Sequence, residues 1–387
     1  MKNHWRFAVG IVCLLSLAAM AQSGRRGTGT QTQGDKPLLK IETREVLLPL
    51  RAYNSEGKDV SDLKPEDLIV TEEGMPRTIT QIKHEPANIV LVLDLNNEIG
   101  TFKNGASAAT PDPAHPDKSE FDIFRKTTPI LPRPASRELA DNFAALLAPA
   151  DHLAIIQYAD KAQLVQDWTL DRQAALDALA SKYRGGIKAS LYDALMLAAE
   201  KLRERDAGRR VVVLVSDGMD SVSRVRRDQA LLSLAQAQAS VFVIGWAEVL
   251  RQQVLIAIEN VRRSRKDGIE ILGSGSAKRM QELRTFLAKL DGAAIQLTDL
   301  AEASGGEIWL PPSFDEMVTA PQLVMKEIGA QYTLAYITER KPNLDPMHEV
   351  QVYVKRPGVT IRTRRSYLAE DEAQTKRGKQ LFFAHEQ

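Results

Sequence analysis

Oxygen-bearing side chains collect where greasy segments of this sequence end. Residues 89–93 (IVLVL) run into Asp94, followed by Asn96 and Glu98. Residues 185–195 (GGIKASLYDAL) carry Lys188 and Ser190 ahead of a helical pattern that contains Asp193. Residues 211–215 (VVVLV) run into Ser216, Asp217, Gly218 and Asp220. In an open α/β sheet, ligands sit outside the carboxyl ends of the strands, so these loops should meet at one edge. Lys188 apart, their side chains are hard oxygen donors with no His or Cys among them. Such a set suits Mg²⁺, Mn²⁺ or Ca²⁺ rather than zinc. The same residue types also serve a polar edge without an ion, because aspartates cap helices and satisfy turn amides well.

Other chemistries find less support. His4 lies in the apolar leader, and His84, His115, His152, His348 and His385 are scattered, with only His152 opening a strand. No H-E-x-x-H, G-x-S-x-G or P-loop occurs, and the glycine-rich GSGSA at 273–277 has neither a preceding strand nor a G-K-[ST] ending. A metal-assisted hydrolase could use Asp94 and Asp217, but Lys188 is the one nearby cation to act on a leaving group. Binding is therefore favoured over catalysis. A net charge of +1 argues against a chain-wide nucleic-acid surface. The basic clusters Arg224, Arg226, Arg227 and Arg262, Arg263, Arg265, Lys266 read as solvated helix faces.

The elements that position the candidate residues follow from hydrophobic rhythm. Residues 88–93 and the runs VVVLVSDG and SVFVIGW are near-continuous apolar stretches, as expected of strands covered on both faces. HLAIIQYA and AQLVQDW read as two further strands, and GEIWLP as a last short one. Helices are expected over 137–147 (Leu139, Phe143, Leu146 and Leu147 on one face), from Asp171 to Tyr183, over Leu191–Leu202, over 229–239 and over 313–328. Alternating strands and helices make a doubly wound, mostly parallel sheet with helices on both faces, an α/β fold. Residues 38–86 show period-two alternation with turns at Asn54–Gly57 and Glu73–Gly74. YTLAYIT, HEVQVYVK and VTIRTRRSY return to strand, with a turn at Arg356-Pro357-Gly358.

The chain of 387 residues thus divides into segments. Lys2 and Arg6 precede an apolar run over 7–19 and the small residues of Ala19-Met20-Ala21, a secretory signal peptide at 1–21 cut after Ala21. The run is short for a membrane span, and an uncleaved anchor is the alternative. The single cysteine, Cys13, lies in that leader and in no lipoprotein box. The mature chain then has no thiol, which excludes thiol catalysis, thiolate metal sites and disulfides, and points to a periplasmic or secreted bacterial protein. A flexible linker at 22–37 leads to a β-rich segment at 38–86. The α/β domain covers 87–328, a second β-rich segment 329–368, and a charged tail 369–387. The β-rich segments pack together most economically as one small β-domain, with the α/β domain inserted between its halves. Long stretches at about 101–135 and 250–296 read as inserts, the second as a basic surface helical hairpin.

These motifs, in this order, resemble the von Willebrand factor type A (VWA) domain, and the mature chain resembles the VWFA-related proteins of acidobacteria. VLVLDLNNE stands for the family's D-x-S-x-S strand end, GGIKASLYDAL is similar to its G-G-T-x-L-Y-D-A-L turn and helix, and VVVLVSDGMDS to L-x-S-D-G. LAEASGGEIWLP is similar to the late A-x-x-[ST]-G-G segment, and LKPEDLIVTEEGMPRTI and YTLAYIT…RPGVTIRTRRSYLA to the β segments of the acidobacterial group. The resemblance implies a Rossmann-like fold and adhesion-type protein binding through a metal-ion-dependent adhesion site (MIDAS), whose open metal position takes an acidic group of a partner. It implies a metal shell of Asp94, Asn96, Glu98, Ser190 and Asp217. Asn96 and Glu98 replace the two serines of the motif, and the threonine position falls at Ala189 or its neighbour Ser190. A third carboxylate from Glu98 would over-neutralise a divalent ion or occupy the partner's position, a degenerate site. A metal-independent scaffold with a decayed site is the alternative. The net charge of +1 and the short leader point to no nucleic-acid partner and no stable membrane span after signal cleavage.

Overall fold

The computed structural model describes residues 42–95, 133–182, 185–186, 188–266, 275–340 and 347–368. The expected signal peptide, the linker, the charged tail and most of the 101–135 insert lie outside them. The described residues form a six-stranded α/β sheet and two four-stranded β-sheets.

The six-stranded sheet is built from β5 (Ala87–Asp94), β6 (His152–Tyr158), β7 (Ala162–Thr169), β8 (Arg209–Ser216), β9 (Ser240–Gly245) and β10 (Ile308–Trp309). Its order is β10-β9-β8-β5-β6-β7, parallel except for the antiparallel edge strand β7. Every residue of β5 is buried, which is why its sequence is a continuous apolar run rather than an alternating one. Alternate side chains serve opposite faces. Ile89, Leu91 and Leu93 join one core with Val211, Val213 and Val215, while Val90 and Val92 join another with Val212 and Leu214. The first face is covered by α1 (Arg133–Leu146), α2 (Arg172–Lys182), α5 (Ala247–Lys266) and α7 (Phe314–Ala330); the second by α3 (Leu191–Arg203) and α4 (Arg227–Gln236). Leu191, Leu195, Ala198 and Leu202 of α3 are all buried, the one-faced spacing that the sequence showed. Asp171 starts α2 by accepting the Gln173 N–H at 2.8 Å.

Two expectations change. Leu146, read on one helical face with Leu139, Phe143 and Leu147, is 40% exposed while those three are buried. The 250–296 segment is not a surface appendage. Its described residues belong to α5 and the long α6 (Gly275–Ala303), which pack on each other and onto the sheet. Leu250, Val254, Leu283 and Leu290 enter the first core, and Leu297 and Ala301 the second, so α6 is the crossover that delivers the chain to β10. The basic residues Arg262 and Arg263 do face water.

The serine-glycine-glycine at 304–306 shows why that crossover needs small residues. Ser304 Oγ accepts the Val241 N–H at 2.9 Å, and a Cβ on Gly306 would lie 2.0 Å from the Val241 carbonyl oxygen. The end of α6 touches the start of β9 there, backbone against backbone.

The two remaining sheets draw strands from both ends of the described chain. β1 (Glu42–Asn54), β4 (Ile79–Lys83), β11 (Tyr332–Arg340) and β13 (Val359–Thr363) form one, in the order β13-β1-β11-β4. β2 (Leu68–Glu72), β3 (Met75–Arg77), β12 (Met347–Val354) and β14 (Ser366–Leu368) form the other, in the order β14-β12-β2-β3. Val46, Leu48 and Leu50 of β1 share one core with Leu68, Val70, Tyr332, Leu334 and Val350, so the α/β fold sits between two halves of one small β-sandwich. The sequence VTIRTRRSY, read as one strand, is two. The chain changes sheets at Arg364 and Arg365, with β13 pairing β1 and β14 pairing β12.

Arg51 and Arg362 of the β-sandwich meet Glu307 and Glu327 of the α/β part. Arg362 Nη2 lies 2.9 Å from Glu307 and 3.3 Å from Glu327, and Arg51 also pairs with Glu327. Burial, then the Glu307 charge, push Glu327 up to about 7, and the two arginines only partly oppose this. A carboxyl raised in the folded state takes up a proton there before it does unfolded. Relative to Glu327→Gln, the wild type should therefore lose stability as pH rises from about 4.5 to about 7, by roughly 1–2 kcal/mol, and stay level above. Urea unfolding of both proteins across that window measures the difference. Gly306→Ala should cost about 3 kcal/mol or more by collision with Val241. Gly292→Ala, where a Cβ meets nothing within 4 Å, should be neutral or gain up to ~1 kcal/mol in the same assay.

Candidate metal centre

The carboxyl ends of β5, β6 and β8 lie side by side, because Leu93 pairs with Val215 and Asp94 with Tyr158. Asp94 is 6% exposed and Asp217, the residue after β8, is 1% exposed. Ser216 lies between them as a hub. Its Oγ is 2.6 Å from the Tyr158 hydroxyl, accepts the Gly218 N–H at 2.8 Å, and reaches Asp94 Oδ2 at 3.5 Å. Either hydroxyl of the Tyr158–Ser216 pair can donate to the other, and both hydroxyls reach Asp94. Burial, then the charges of Asp94 and Asp217, push the Tyr158 phenol well above its ordinary range. Both carboxylates are thus within electrostatic reach of one neutral, buried hydroxyl. Asp217 Oδ1 accepts the Met219 N–H at 2.8 Å, an Asx-type turn that fixes the carboxylate at the edge. Gly218 permits that turn with φ of +81°, and a Cβ there would also crowd Leu297 at 2.9 Å.

The second loop is stitched to this edge. Gly186 N–H donates to the Leu95 carbonyl at 3.3 Å, and Lys188 N–H to Asp160 Oδ1 at 2.7 Å. Ala189 N–H donates to Ser221 Oγ at 2.9 Å, while Ser221 and Val222 N–H return to the Ala189 carbonyl at 2.9 and 3.0 Å. Ser190 follows as the residue that opens α3, yet its side chain caps no helix amide. Its Oγ is fully buried and has no hydrogen-bond partner. Native proteins seldom leave a buried hydroxyl so, and a missing ligand is one physical reason for it.

Of the sequence candidates, Asp94, Ser190 and Asp217 lie on the three loops that meet at this edge. Asn96 and Glu98 lie outside the described residues. Asp193 and Asp220 have structural work: Asp193 Oδ1 accepts the N–H groups of Arg224 and Val225 at 3.0 and 2.9 Å, and Asp220 accepts the Ser223 hydroxyl. Lys188 is exposed. The sequence did not single out Tyr158, Asp160 or Ser221. Tyr158 had a signal, since it ends the strand beside β5 just as Asp94 ends β5. Among the described residues no group of three or more His, Cys, Asp or Glu side chains could hold a metal. Asp94, Asp217 and the Ser190 hydroxyl fit a hard divalent ion in donor chemistry.

Residues 133–290 match the von Willebrand factor type A domain. That span includes Ser190 and Asp217 and begins after Asp94. No curated protein matches the chain. Among solved structures, the chain is similar to a von Willebrand factor type A protein from Catenulispora acidiphila, at 10% identity over 86% of this chain and 75% of that one, with a TM-score of 0.38. It is similar to proximal thread matrix protein 1 from the mussel byssus, with a zinc-occupied MIDAS motif, at 13% identity over 67% of this chain and 50% of that one, with a TM-score of 0.40. It is also similar to BatB from Bacteroides thetaiotaomicron, at 17% identity over 41% of this chain and 66% of that one, with a TM-score of 0.30. The chain thus spans half of the byssus protein and 66% of BatB. No helix among the described residues is long and apolar enough to cross a membrane. The match to the von Willebrand factor type A domain thus falls within the α/β part of this chain, over residues 133–290.

Proposed function

We propose that this chain is an exported binding protein that holds a divalent cation at the carboxyl edge of its α/β sheet. The ion is Mg²⁺, Mn²⁺ or Ca²⁺, and it engages an acidic group of a partner protein or surface ligand. The observation that carries the reading is the Ser190 hydroxyl, buried and without a partner on a loop tied to the one that bears Asp217. Asp94 and Asp217 would hold the ion with Ser190. Asn96 and Glu98 would complete the shell, with Glu98 lowering the ion's remaining attraction for an outside acid. When bound, the ion supplies positive charge to an edge where the chain itself buries two carboxylates. The reading is non-enzymatic. Export rests on the leader at 1–21, and the segment boundaries at 38–86, 87–328 and 329–368 belong to the same proposal.

Calorimetric titration of Mg²⁺, then Mn²⁺ and Ca²⁺, into the protein starting at Gln22 tests it. Saturable binding by the wild type, abolished in Asp94→Ala, is the expected outcome. The absence of heat in the wild type would sink the metal reading and leave a metal-independent scaffold. Two serines separate ligation from stability. Ser190→Ala should weaken the ion about tenfold or more, yet leave the metal-free protein as stable or up to ~1 kcal/mol more so, since it removes an unsatisfied polar group. Ser216→Ala should cost about 2–3 kcal/mol in the metal-free protein, because the Tyr158 hydroxyl and the Gly218 N–H lose their partner. Urea unfolding in EDTA distinguishes the two.

A further inference from the structure

At the opposite, amino-terminal edge of the parallel sheet the chain collects arginines. A crevice of about 70 Å³ lies between β1 and the starts of β8 and β9, lined among others by Leu47, Asp206, Arg209, Arg210, Gln331 and Arg364. A cavity of that size holds several waters or one tetrahedral ion. Arg364 is 4% exposed. Its Nη2 donates to the Leu47 carbonyl at 2.7 Å, while its Nε finds no acceptor. Burial pushes its guanidinium down to about 10, and the positive charge of Arg210 pushes the same way. The carboxylate that lines the crevice, Asp206, is exposed and is not among the groups that shift Arg364.

The neighbouring guanidiniums direct protons to main-chain oxygens. Arg209 Nε donates to the Glu85 carbonyl at 2.6 Å, and Arg210 donates to the carbonyls of Ala237 at 3.2 Å and Arg205 at 2.8 Å. Arg209 also feels the charges of Asp151 and Glu85, whereas no carboxylate is among the groups that shift Arg364. The Gln331 side chain also lines the crevice with its Oε1 unpartnered, and the amide turned over would present its NH₂ instead. A buried cation with an idle donor, a like charge beside it and an adjacent cavity is the arrangement that a small anion relieves.

We propose that this crevice binds one small inorganic oxyanion, of the phosphate or sulfate type, bridging Arg364 and Arg210. The anion accepts from Arg364 Nε and supplies the missing counter-charge, and guanidinium forks suit tetrahedral oxyanions. Arg364 lies where the chain leaves β13 for β14, so the anion would also tie the β-sandwich to the start of β8. This site is independent of the metal proposal, and either can fail alone.

Calorimetric titration of inorganic phosphate, repeated with sulfate, at ionic strength held constant with chloride, decides it. The wild type should show a single saturable site, with a melting temperature that rises with phosphate. Arg364→Gln should abolish binding, and Arg210→Gln should weaken it tenfold or more. If Arg364→Gln does not fold, Arg210→Gln carries the test. No saturable binding by the wild type, or affinity unchanged in Arg210→Gln, overturns the proposal.

Discussion

Two adjacent parallel strands end at carboxylates that are held almost out of water, and the candidate site depends on how that burial is tolerated. An ionised carboxylate loses several kcal/mol of hydration when buried, and a second one nearby adds repulsion. The chain answers with dipoles. The Ser216 and Tyr158 hydroxyls reach Asp94, the Met219 amide serves Asp217, and Tyr158 stays protonated beside both. The hydrogen bonds between the Ala189 and Ser221 segments hold this lining in place. These dipoles take the place of the water that the two carboxylates lose.

Much of this arrangement was legible because burial on both faces writes itself into composition. β5, β8 and β9 are continuous apolar runs, and the rule that ligands gather at carboxyl ends brought Asp94, Ser190 and Asp217 to one edge. What escaped was decided by contacts distant in sequence. Asp193 looks like a ligand by type and position, but it accepts amides from a loop about thirty residues on. Tyr158 looks like core, and its hydroxyl matters only because β6 lies beside β5. The α5–α6 segment reads as a basic insert because its exposed faces are charged. Its apolar residues are spread over two helices, and they enter two different cores on opposite faces of the sheet. VTIRTRRSY alternates like one strand, and nothing local shows that Arg364 is where the chain changes sheets.

The carboxyl edge of the sheet buries carboxylates, whereas the amino edge buries both signs, Arg364 and Asp151. The carboxyl edge holds Asp94 and Asp217; the amino edge, against the β-sandwich, holds Arg364 with Arg209 and Arg210 lining the same crevice. Parallel strands themselves contribute little net dipole, so this difference is a property of side chains. Each edge is bounded by loops that other elements pin.

The divided β-sandwich joins the α/β part at the amino edge of its sheet. The α/β part is entered through Ala87, just after β4, and left through Ala330, just before β11. β4 pairs antiparallel with β11, and the His84 ring meets the Tyr332 ring at 3.9 Å between centroids, with His84 Nδ1 3.3 Å from the Gln331 carbonyl. The two crossings are therefore clamped together at the start of β5, on the amino side of the sheet. Strand β5 then carries Asp94 away from that clamp by its full length of eight residues, some 25 Å at the usual rise. Placing both crossings at one edge concentrates the bracing contacts there, including Arg51 and Arg362 with Glu307 and Glu327.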